Sequence, residues 1–335
     1  MDWAVVAGAR PQFVKAAALM PVLRARGDAA LIHTGQHTDK TLVEDHFADL
    51  GLDAPDVSLQ TTGGNRATRL ASMVDRLAAV FEERRPRCVV VFGDTDSTLA
   101  AAIAGSFNNI AVAHVEAGAR SGERDLPEER NRILVDEMSD LLFCSTEAHA
   151  RNLAGRRGVF TVGDVMADVL FAKEKAIRAA IPAVDSDYAV LTLHRAGTAD
   201  DPAAVARVLD AASRLGMPVH FPVHPRTKKS LGRLPVNVRE TEPLPYVKFL
   251  GLVAGARLVL TDSGGLQKEA YLLGTPCITL RDATEWEETL AAGWNTLAGT
   301  DVRRIGMAAR QPPRMDERYP VYGDGDAAKK IAERL

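Results

Sequence analysis

Short runs of β-branched and other apolar residues alternate along the chain with longer segments of helical spacing. The run Cys88-Val89-Val90-Val91-Phe92, for example, precedes the helical pattern of residues 98–104. Such alternation is typical of βαβ units, whose strands form parallel sheets. The strands predicted in the first half are 3–7, 29–33, 88–92, 110–115, 141–145 and 159–162. Those predicted in the second half are 188–193, 217–223, 237–241, 257–261 and 276–280.

Two sets of strands predict an α/β protein with two Rossmann-like domains, and a chain of 335 residues is long enough for each to have its own core. A helical stretch and a polar, proline-containing segment, together 165–187, separate the two sets. We therefore predict an N-terminal domain over 1–168 and a C-terminal domain over 169–314. The remaining segment, 315–335, ends in an amphipathic helix from Ala327 to Leu335, which we expect to pack back on the first domain.

Composition and charge exclude several classes of protein. A net charge of -3 without long basic runs argues against a nucleic-acid-binding protein. The sequence has no run of roughly 18 uncharged apolar residues and no secretion signal at its start, so we expect a cytoplasmic protein without a membrane span. Cys88, Cys144 and Cys277 lie far apart in apolar runs, which predicts buried thiols rather than a metal site.

The strongest local motif is the turn Asp262-Ser263-Gly264-Gly265, which follows an apolar strand and precedes a helix. Glycines let the main chain approach a ligand closely, and the exposed N–H groups of a helix N-terminus favour phosphate. Glu269, one turn into that helix, is placed to accept hydrogen bonds from ribose hydroxyls. The alternative is an ordinary turn in which Asp262 or Ser263 caps the helix. The dinucleotide and P-loop glycine fingerprints are absent, which argues against NAD chemistry and ATP hydrolysis.

Charged residues follow the predicted strands of the first half. Arg10 and Lys15 lie at the start of the first helix, where two cations can face one ligand. Asp94 and Glu116 come just after two strands, and Glu128 lies at the start of a later helix. Carboxylates in such positions can divide the roles of general acid and base. The alternatives are solvated charges and helix caps. The Asp-x-Asp that begins at Asp94 also resembles a metal-binding pair, but nothing nearby adds further ligands.

Basic residues end strands in the second half. His194, which Arg195 follows, ends one apolar strand, and His224 ends another. Arg281 comes after a third strand. In open α/β sheets, ligands bind at the carboxyl ends of the strands, so these side chains are candidates to contact one anion. A strand-end histidine taken alone is more typical of a structural role.

Taken in order, these loops resemble the non-hydrolysing UDP-N-acetylglucosamine 2-epimerase family from Gly8 to the end of the chain. The motifs that carry the resemblance are Gly8-Ala9-Arg10-Pro11-Gln12-Phe13-Val14-Lys15, Thr34-Gly35-Gln36-His37, Gly93-Asp94-Thr95, His114-Val115-Glu116-Ala117-Gly118, Pro127-Glu128-Glu129-Arg130-Asn131-Arg132, Val162-Gly163-Asp164-Val165-Met166, Thr261-Asp262-Ser263-Gly264-Gly265 and Leu280-Arg281-Asp282-Ala283-Thr284-Glu285. The resemblance implies a GT-B fold, in which two Rossmann-like domains face a central cleft and the last helix crosses back to the first domain. It also implies a homodimer.

The resemblance assigns roles to individual residues. The residues that match catalytic positions are Asp94, Glu116, Glu128 and His194. The predicted substrate contacts are Arg10, Lys15, Gln36, His37, Arg132, His224, Ser263, Gly264, Gly265, Glu269 and Arg281, with Phe249 where the uracil is usually flanked. The chain departs from the family at Gly197-Thr198, where Glu-Asn is usual, and at Asp96, where Asn or Thr is usual. It also departs over 61–68, a neighbourhood that in bacterial members helps to hold an allosteric substrate molecule.

We therefore expect reversible conversion of UDP-N-acetylglucosamine to UDP-N-acetylmannosamine, without a metal or redox cofactor. The hydrogen on C2 of the sugar is not adjacent to a carbonyl, so direct deprotonation would be very slow. The expected route eliminates UDP across C1–C2 and adds it back to the resulting glycal. Three alternatives stay open: an epimerase that hydrolyses the intermediate to UDP and N-acetylmannosamine, a GT-B glycosyltransferase, and a nucleotide-sugar sensor without activity.

Overall fold

The computed structural model describes residues 1–35, 47, 49–183, 187–311 and 320–335. This part of the chain forms two compact units. The first unit comprises Met1–Ala172 together with Pro320–Leu335, and the second comprises the described residues of Lys173–Tyr319. Each unit contains one sheet of parallel strands connected through helices, so the predicted α/β class with two Rossmann-like sheets is confirmed.

The sheet of the first unit has seven strands, and every pair in it is parallel. The strands are β1 (Trp3–Ala7), β2 (Ala29–His33), β3 (Val57–Ser58), β4 (Cys88–Phe92), β5 (Ala111–Val115), β6 (Leu141–Cys144) and β7 (Val159–Thr161). Their order across the sheet is β3-β2-β1-β4-β5-β6-β7. Strands β1 and β4 are buried along their whole length, as expected for continuous apolar runs in the middle of a parallel sheet.

Seven helices are described in the first unit or begin in it. They are α1 (Arg10–Arg24), α2 (Arg66–Arg84), α3 (Asp96–Phe107), α4 (Pro127–Met138), α5 (Glu147–Arg151), α6 (Val165–Ala179) and, at the C-terminus, α14 (Ala327–Ala332). Local sequence sets where the helices near the site begin. The side chains of Asn65 and Thr95 accept the N–H groups of Thr68 and Thr98 and so cap α2 and α3, and Pro127 occupies the first turn of α4.

The sheet of the second unit has six strands, again with parallel pairs throughout. The strands are β8 (Ala189–Thr192), β9 (Val219–Pro222), β10 (Val238–Thr241), β11 (Leu258–Thr261), β12 (Cys277–Thr279) and β13 (Asn295–Leu297). Their order is β10-β9-β8-β11-β12-β13. The helices that follow these strands are α7 (Ala196–Ala199), α8 (Pro202–Ser213), α9 (Pro225–Lys228), α10 (Tyr246–Ala254), α11 (Gly264–Leu273), α12 (Glu287–Ala291) and α13 (Val302–Arg310).

Each unit has its own apolar core. In the first, Val6 and Ile32 of the sheet belong to one cluster with Leu77 and Phe81 of α2. In the second, the apolar residues of β8 and β9 pack with α8 and α13 on one side, while a separate cluster involves α10 and α11. Burial of a side chain such as Phe81, which is 1% exposed, contributes roughly 1.5–3 kcal/mol.

The predicted last helix is shorter than expected and packs on the first unit, as predicted. Helix α14 contacts α1, and the carboxylate of Asp168 on α6 accepts the first N–H groups of α14, from Ala327 at 3.2 Å and Ala328 at 2.7 Å. Burial raises the pKa of Asp168, although these two hydrogen bonds oppose the shift.

Two described strands, β3 and β13, were not predicted from the sequence. Both lie at the edge of their sheet, and neither is a continuous apolar run: β3 has two residues, and β13 reads Asn-Thr-Leu.

The prediction of buried thiols is confirmed, because Cys88, Cys144 and Cys277 are all buried and free. Burial raises the pKa of each thiol to about 12. Within the described residues, none of the helices has the length and apolarity that a membrane span requires.

Candidate functional site

Gln12 joins the turn after β1 to the turn after β4. Its buried Oε1 accepts the N–H groups of Gly8 at 2.8 Å and Ala9 at 3.0 Å. Its Nε2 donates to the Phe92 carbonyl and to the Thr98 hydroxyl, both at 2.9 Å. A Cβ on Gly8 would lie 2.0 Å from the hydroxyl oxygen of Ser97, so only glycine fits this close approach. The loop that carries the first predicted cations is therefore held against the loop of Asp94.

Glu116 is buried directly after β5 and has an unusual main-chain conformation. Its φ is 73°, in the left-handed region that residues other than glycine rarely adopt. Its carboxylate forms an ion pair of 2.8 Å with Nζ of Lys15, and the two side chains are 7% and 6% exposed. A Cβ on Gly93 would lie 3.2 Å from atoms of both. Conformations of this kind cost about 1–3 kcal/mol and cluster at active sites and ligand-binding sites, which is consistent with the role predicted for Glu116.

His114, two residues earlier, ties this strand end to the turn after β4. The ring is fully buried, with Nε2 at 2.8 Å from the Gly93 carbonyl and Nδ1 at 2.7 Å from the carboxylate of Asp136. Because a carbonyl can only accept, Nε2 is a donor. Burial alone raises the pKa of Asp136, but His114 and Arg120, whose guanidinium is 2.7 Å away, lower it below the usual value. This charged cluster fixes the main chain on both sides of the carboxylate candidates.

The carboxylate of Asp94 is bonded to the guanidinium of Arg132. Arg132 is 2% exposed, and its Nη1 donates to Glu129 at 2.9 Å. Burial raises the pKa of Glu129, but N–H groups of Ser121 and Gly122 and the charge of Arg132 outweigh it and lower the pKa. Arg132 was predicted as a substrate contact. The structure places it buried between the carboxylates of Asp94 and Glu129.

Both carboxylates of the Asp-x-Asp sequence interact with arginines. Asp96 binds Arg66, at the start of α2, as Asp94 binds Arg132. Arginines thus bind both carboxylate oxygens of Asp96 and one of Asp94. Among the described residues, no group of three or more histidine, cysteine, aspartate or glutamate side chains is arranged to hold a metal ion.

In the second unit, Asp262 positions His194. Asp262 is fully buried, and its carboxylate accepts the N–H groups of His194 at 3.1 Å and Arg195 at 2.9 Å. The same carboxylate lies 3.0 Å from Nδ1 of His194. Burial raises the pKa of Asp262, but the hydrogen bond and charge of His194 and the two N–H groups lower it. A carboxylate acceptor makes Nδ1 the donor, which leaves Nε2 of a side chain 41% exposed as the nitrogen that can meet a ligand.

The turn after Asp262 begins helix α11. The Ser263 hydroxyl accepts the N–H of Leu266 at 3.3 Å, so the predicted alternative of a serine N-cap is confirmed. The N–H of Ser263 donates to Thr261 at 2.9 Å. No acceptor in the described ranges takes the N–H of Gly264 or Gly265, which are the orphan donors of a helix start. The cap and the predicted anion site are therefore compatible within one turn, because the serine satisfies a different N–H group.

A buried glutamate that was not among the predicted site residues lies beside this turn. Glu285 accepts from Arg281 at 2.8 Å and lies 3.5 Å from the guanidinium of Arg195. A Cβ on Gly264 would lie 2.6 Å from its carboxylate, so the glycine allows this close approach. The ammonium of Lys268, buried on α11, lies 3.8 Å above the ring of Trp286. Arg195 and Arg281, two of the predicted strand-end cations, therefore both interact with the carboxylate that lies beside the start of α11.

The remaining predicted residues take varied positions. Arg10 is exposed at the start of α1, and Glu128 is half-buried in the first turn of α4. Glu269 is buried on α11. Phe249 of α10 packs against an apolar cluster that includes residues of α11. The rings of His194 and His224 are 6.2 Å apart, so the two strand-end histidines do lie together. Gln36 and His37 fall outside the described residues.

Comparison with known proteins gives the family of this chain. The family model described as UDP-N-acetylglucosamine 2-epimerase matches residues 23–335. The chain belongs to this family. A Pseudomonas aeruginosa relative named UDP-2,3-diacetamido-2,3-dideoxy-D-glucuronate 2-epimerase is 38% identical over 98% of both chains. A Methanocaldococcus jannaschii relative named UDP-N-acetylglucosamine 2-epimerase is 36% identical over 100% of this chain and 99% of its own.

A solved structure supports the same assignment. The crystal structure of Methanocaldococcus jannaschii UDP-GlcNAc 2-epimerase in complex with UDP-GlcNAc and UDP matches with a TM-score of 0.92 at 33% identity, covering 99% of each chain. The family assignment predicted from the loops is therefore confirmed, and with it an epimerase fold. The relatives named above differ in substrate, so family membership alone does not select one.

The catalytic and substrate-contact roles of individual residues in this family member stay predictions. The sequence analysis quoted Gln12, Asp262 and Glu285 within motifs but did not predict that their side chains hold the candidate site residues in place. Gln12 had a local signal, because glutamine at the third position of a helix often reaches back to N–H groups before it. The only signal for Asp262 and Glu285 was their position next to predicted contacts. Both interact with Arg195, which lies far away in sequence.

Proposed function

We propose that this protein interconverts UDP-N-acetylglucosamine and UDP-N-acetylmannosamine by eliminating UDP and adding it back to a 2-acetamidoglucal. Membership of the epimerase family over nearly the whole chain supports epimerisation at C2. The observation that carries the proposal is the state of Glu116, a buried and conformationally strained carboxylate paired with Lys15 next to the Asp94 turn. A strained main-chain conformation that is retained despite its cost in folding free energy favours a catalytic role for Glu116 over a role at the surface.

The proposed chemistry uses two groups of residues. Asp94, Glu116 and Glu128 supply the general base that removes the C2 proton and the acid that returns one from the opposite face. His194 and the N–H groups at the start of α11 stabilise the negative charge that grows on the diphosphate as the C1–O bond breaks. One preorganised donor of this kind can contribute ~3–4 kcal/mol to a transition state. No metal or redox cofactor takes part in the proposed route.

A second candidate substrate is UDP-2,3-diacetamido-2,3-dideoxy-D-glucuronate, because the Pseudomonas aeruginosa relative named for it is 38% identical over 98% of this chain. Both sugars carry UDP at C1 and an acetamido group at C2, so the same elimination serves both. They differ at C3 and at C6, where the glucuronate adds a negative charge.

Incubation of the purified protein with each nucleotide sugar, followed by proton NMR of the C1 and C2 signals, tests the choice. We expect formation of the C2 epimer of UDP-N-acetylglucosamine until both epimers coexist at equilibrium. Turnover of the diacetamido-glucuronate alone would transfer the proposal to that substrate. Stoichiometric release of free UDP would favour the hydrolysing alternative, and turnover that requires an added acceptor would favour a glycosyltransferase. Binding without any turnover would indicate a sensor.

We also propose that the protein is a homodimer, as the family resemblance implies. The first unit has a shallow apolar groove of ≈ 550 Å³ between α2 and α3. Its lining residues are Ala67, Leu70, Ala71, Val74, Asp75, Ala78 and Ile103. A second copy is the proposed occupant, and nearby Phe107 of α3 is 78% exposed. Val74→Glu should convert a dimer to a monomer in light scattering, whereas Ala79→Glu, which is exposed on the same helix outside the groove, should not.

A further inference from the structure

A network of charged and polar side chains joins the starts of three helices in the first unit. Arg66 opens α2, Asp96 opens α3, and Asn131 lies in α4. Nε of Arg66 is 3.0 Å from both carboxylate oxygens of Asp96, and Nη2 is 2.6 Å from one of them. The same Nη2 donates to the Asn131 amide oxygen at 3.2 Å. The planar guanidinium thus binds two helices at once, with a fork geometry that an ammonium group cannot reproduce.

Asn131 connects this ion pair to Asp94. Its Nδ2 donates to the main-chain carbonyl of Asp94 at 2.8 Å and to Asp96 at 3.1 Å. The next residue, Arg132, binds the side chain of Asp94. Asn131 is 3% exposed, and its amide oxygen faces a donor while its amide nitrogen faces two acceptors, which fixes its orientation. Consecutive residues of α4 therefore hold the main chain and the carboxylate of one catalytic candidate.

The ionisation of Asp96 depends on its partners in this network. Burial raises the pKa of Asp96, but hydrogen bonds from Arg66 and Asn131 and the charges of Arg66 and Arg69 lower it below its usual value. Asp96 is therefore charged at neutral pH. The hydrogen bond to Asp96 also raises the pKa of Arg66, so the pair stays fully ionic.

We propose that Arg66 is a positioning residue, whose ion pair with Asp96 holds Asn131 and the Asp94 main chain and cancels the charge that Asp96 adds beside Asp94. The catalytic consequence of this role rests on the proposed epimerase function. The structural consequence does not, since it concerns only how the Asp94 turn is held.

The charged groups around Asp96 decide what happens when Arg66 is removed. Arg69 on α2 acts on Asp96 through its charge alone, and Arg132 on α4 is already bonded to Asp94 and Glu129. Glu128 on α4 interacts electrostatically with Arg66. Without Arg66, Asp96 keeps its negative charge but loses its ion-pair partner two residues from Asp94, which disfavours the ionised form of neighbouring carboxylates.

A set of four variants tests the role without using activity. We compare Arg66→Met, Asp96→Asn, the double variant and, as a control, Arg76→Met, which removes an exposed arginine from the same helix. Amide hydrogen exchange is followed in the peptides that cover 93–98 and 127–132. Arg66→Met should speed exchange in both peptides at least ten-fold. The double variant should return to within about three-fold of wild type, because asparagine at 96 can still accept from Asn131 and leaves no unpaired charge.

The same proteins give a catalytic readout. In Arg66→Met, kcat should fall ten-fold or more and the acid limb of the pH–rate profile should move to higher pH, while the double variant regains both. Unchanged exchange in Arg66→Met, or a double variant as impaired as Arg66→Met, would overturn the proposal. If wild type shows no turnover with either nucleotide sugar, the proposed function fails, and the exchange experiment still decides the role of Arg66.

Discussion

Replacing Asp262 with asparagine tests how the second unit controls His194. The carboxylate accepts three donors, the main-chain N–H groups of His194 and Arg195 and Nδ1 of the His194 ring. Asparagine has one acceptor oxygen and one donor NH2 group. If its oxygen stays with the main-chain N–H groups, its NH2 faces Nδ1 and forces that nitrogen to accept. With Nδ1 accepting, the ring cannot hold a proton on both nitrogens, so it loses the positive charge that would stabilise the departing diphosphate.

The expected magnitude follows from the bonds that change. A hydrogen bond to a charged group contributes about 1.5–3 kcal/mol, and loss of the positive charge on the ring adds a catalytic loss. A total of about 2–4 kcal/mol in the transition state corresponds to a decrease in kcat of roughly 30- to 1,000-fold, with a smaller change in KM. Asp210→Asn is the matched control, because Asp210 forms an exposed ion pair with Arg214 on α8.

Unfolding at two pH values adds a second reading of Asp262→Asn. The folded-state pKa of Asp262 is lowered, so its charge stabilises the fold above the unfolded value of about 3.9 and this contribution is lost as pH falls through the folded pKa. The free energy of unfolding of the variant should therefore lie below wild type at pH 7 and approach it under acid conditions. A variant with kcat within three-fold of wild type and a pH-independent difference in stability would refute the role assigned to Asp262.

Two further predictions concern the buried ion pair and the helix start. Lys15→Met and Glu116→Gln should each lower the free energy of unfolding by about 3–5 kcal/mol, because each removes one partner of a buried ion pair. The double variant should lose less than the sum in urea unfolding, and an additive loss would show that the two charges do not interact. Gly264→Ala should raise KM for the nucleotide sugar about ten-fold, because the new Cβ meets the Glu285 carboxylate. Gly306→Ala, whose Cβ meets only ordinary contact in α13, should leave KM unchanged, and an equal effect of both substitutions would contradict this reasoning.

The sequence predicted the parts of the structure that depend on local pattern. The strand at β4 is a run of apolar residues, and Asp94 follows it at the carboxyl edge where such folds bind ligands. The partners of charged residues were not predictable in this way. Arg66 lies 30 residues before Asp96, and His194 lies 68 before Asp262, so their pairing depends on how helices and strands pack. Arg132 is an example. Its motif was recognised in the sequence, but its burial and its ion pair with Asp94 could be seen only in the folded structure.

Isotope incorporation at C2 tests the proposed elimination most directly. The purified protein is incubated with UDP-N-acetylglucosamine in deuterated water, and the C2 position of both epimers is followed by NMR and mass spectrometry. If UDP leaves across C1–C2 and returns to a glycal, each epimerisation replaces the C2 hydrogen with one from solvent. We predict deuterium at C2 of UDP-N-acetylmannosamine from the first turnover. Formation of that product with its original C2 hydrogen retained would contradict the elimination route.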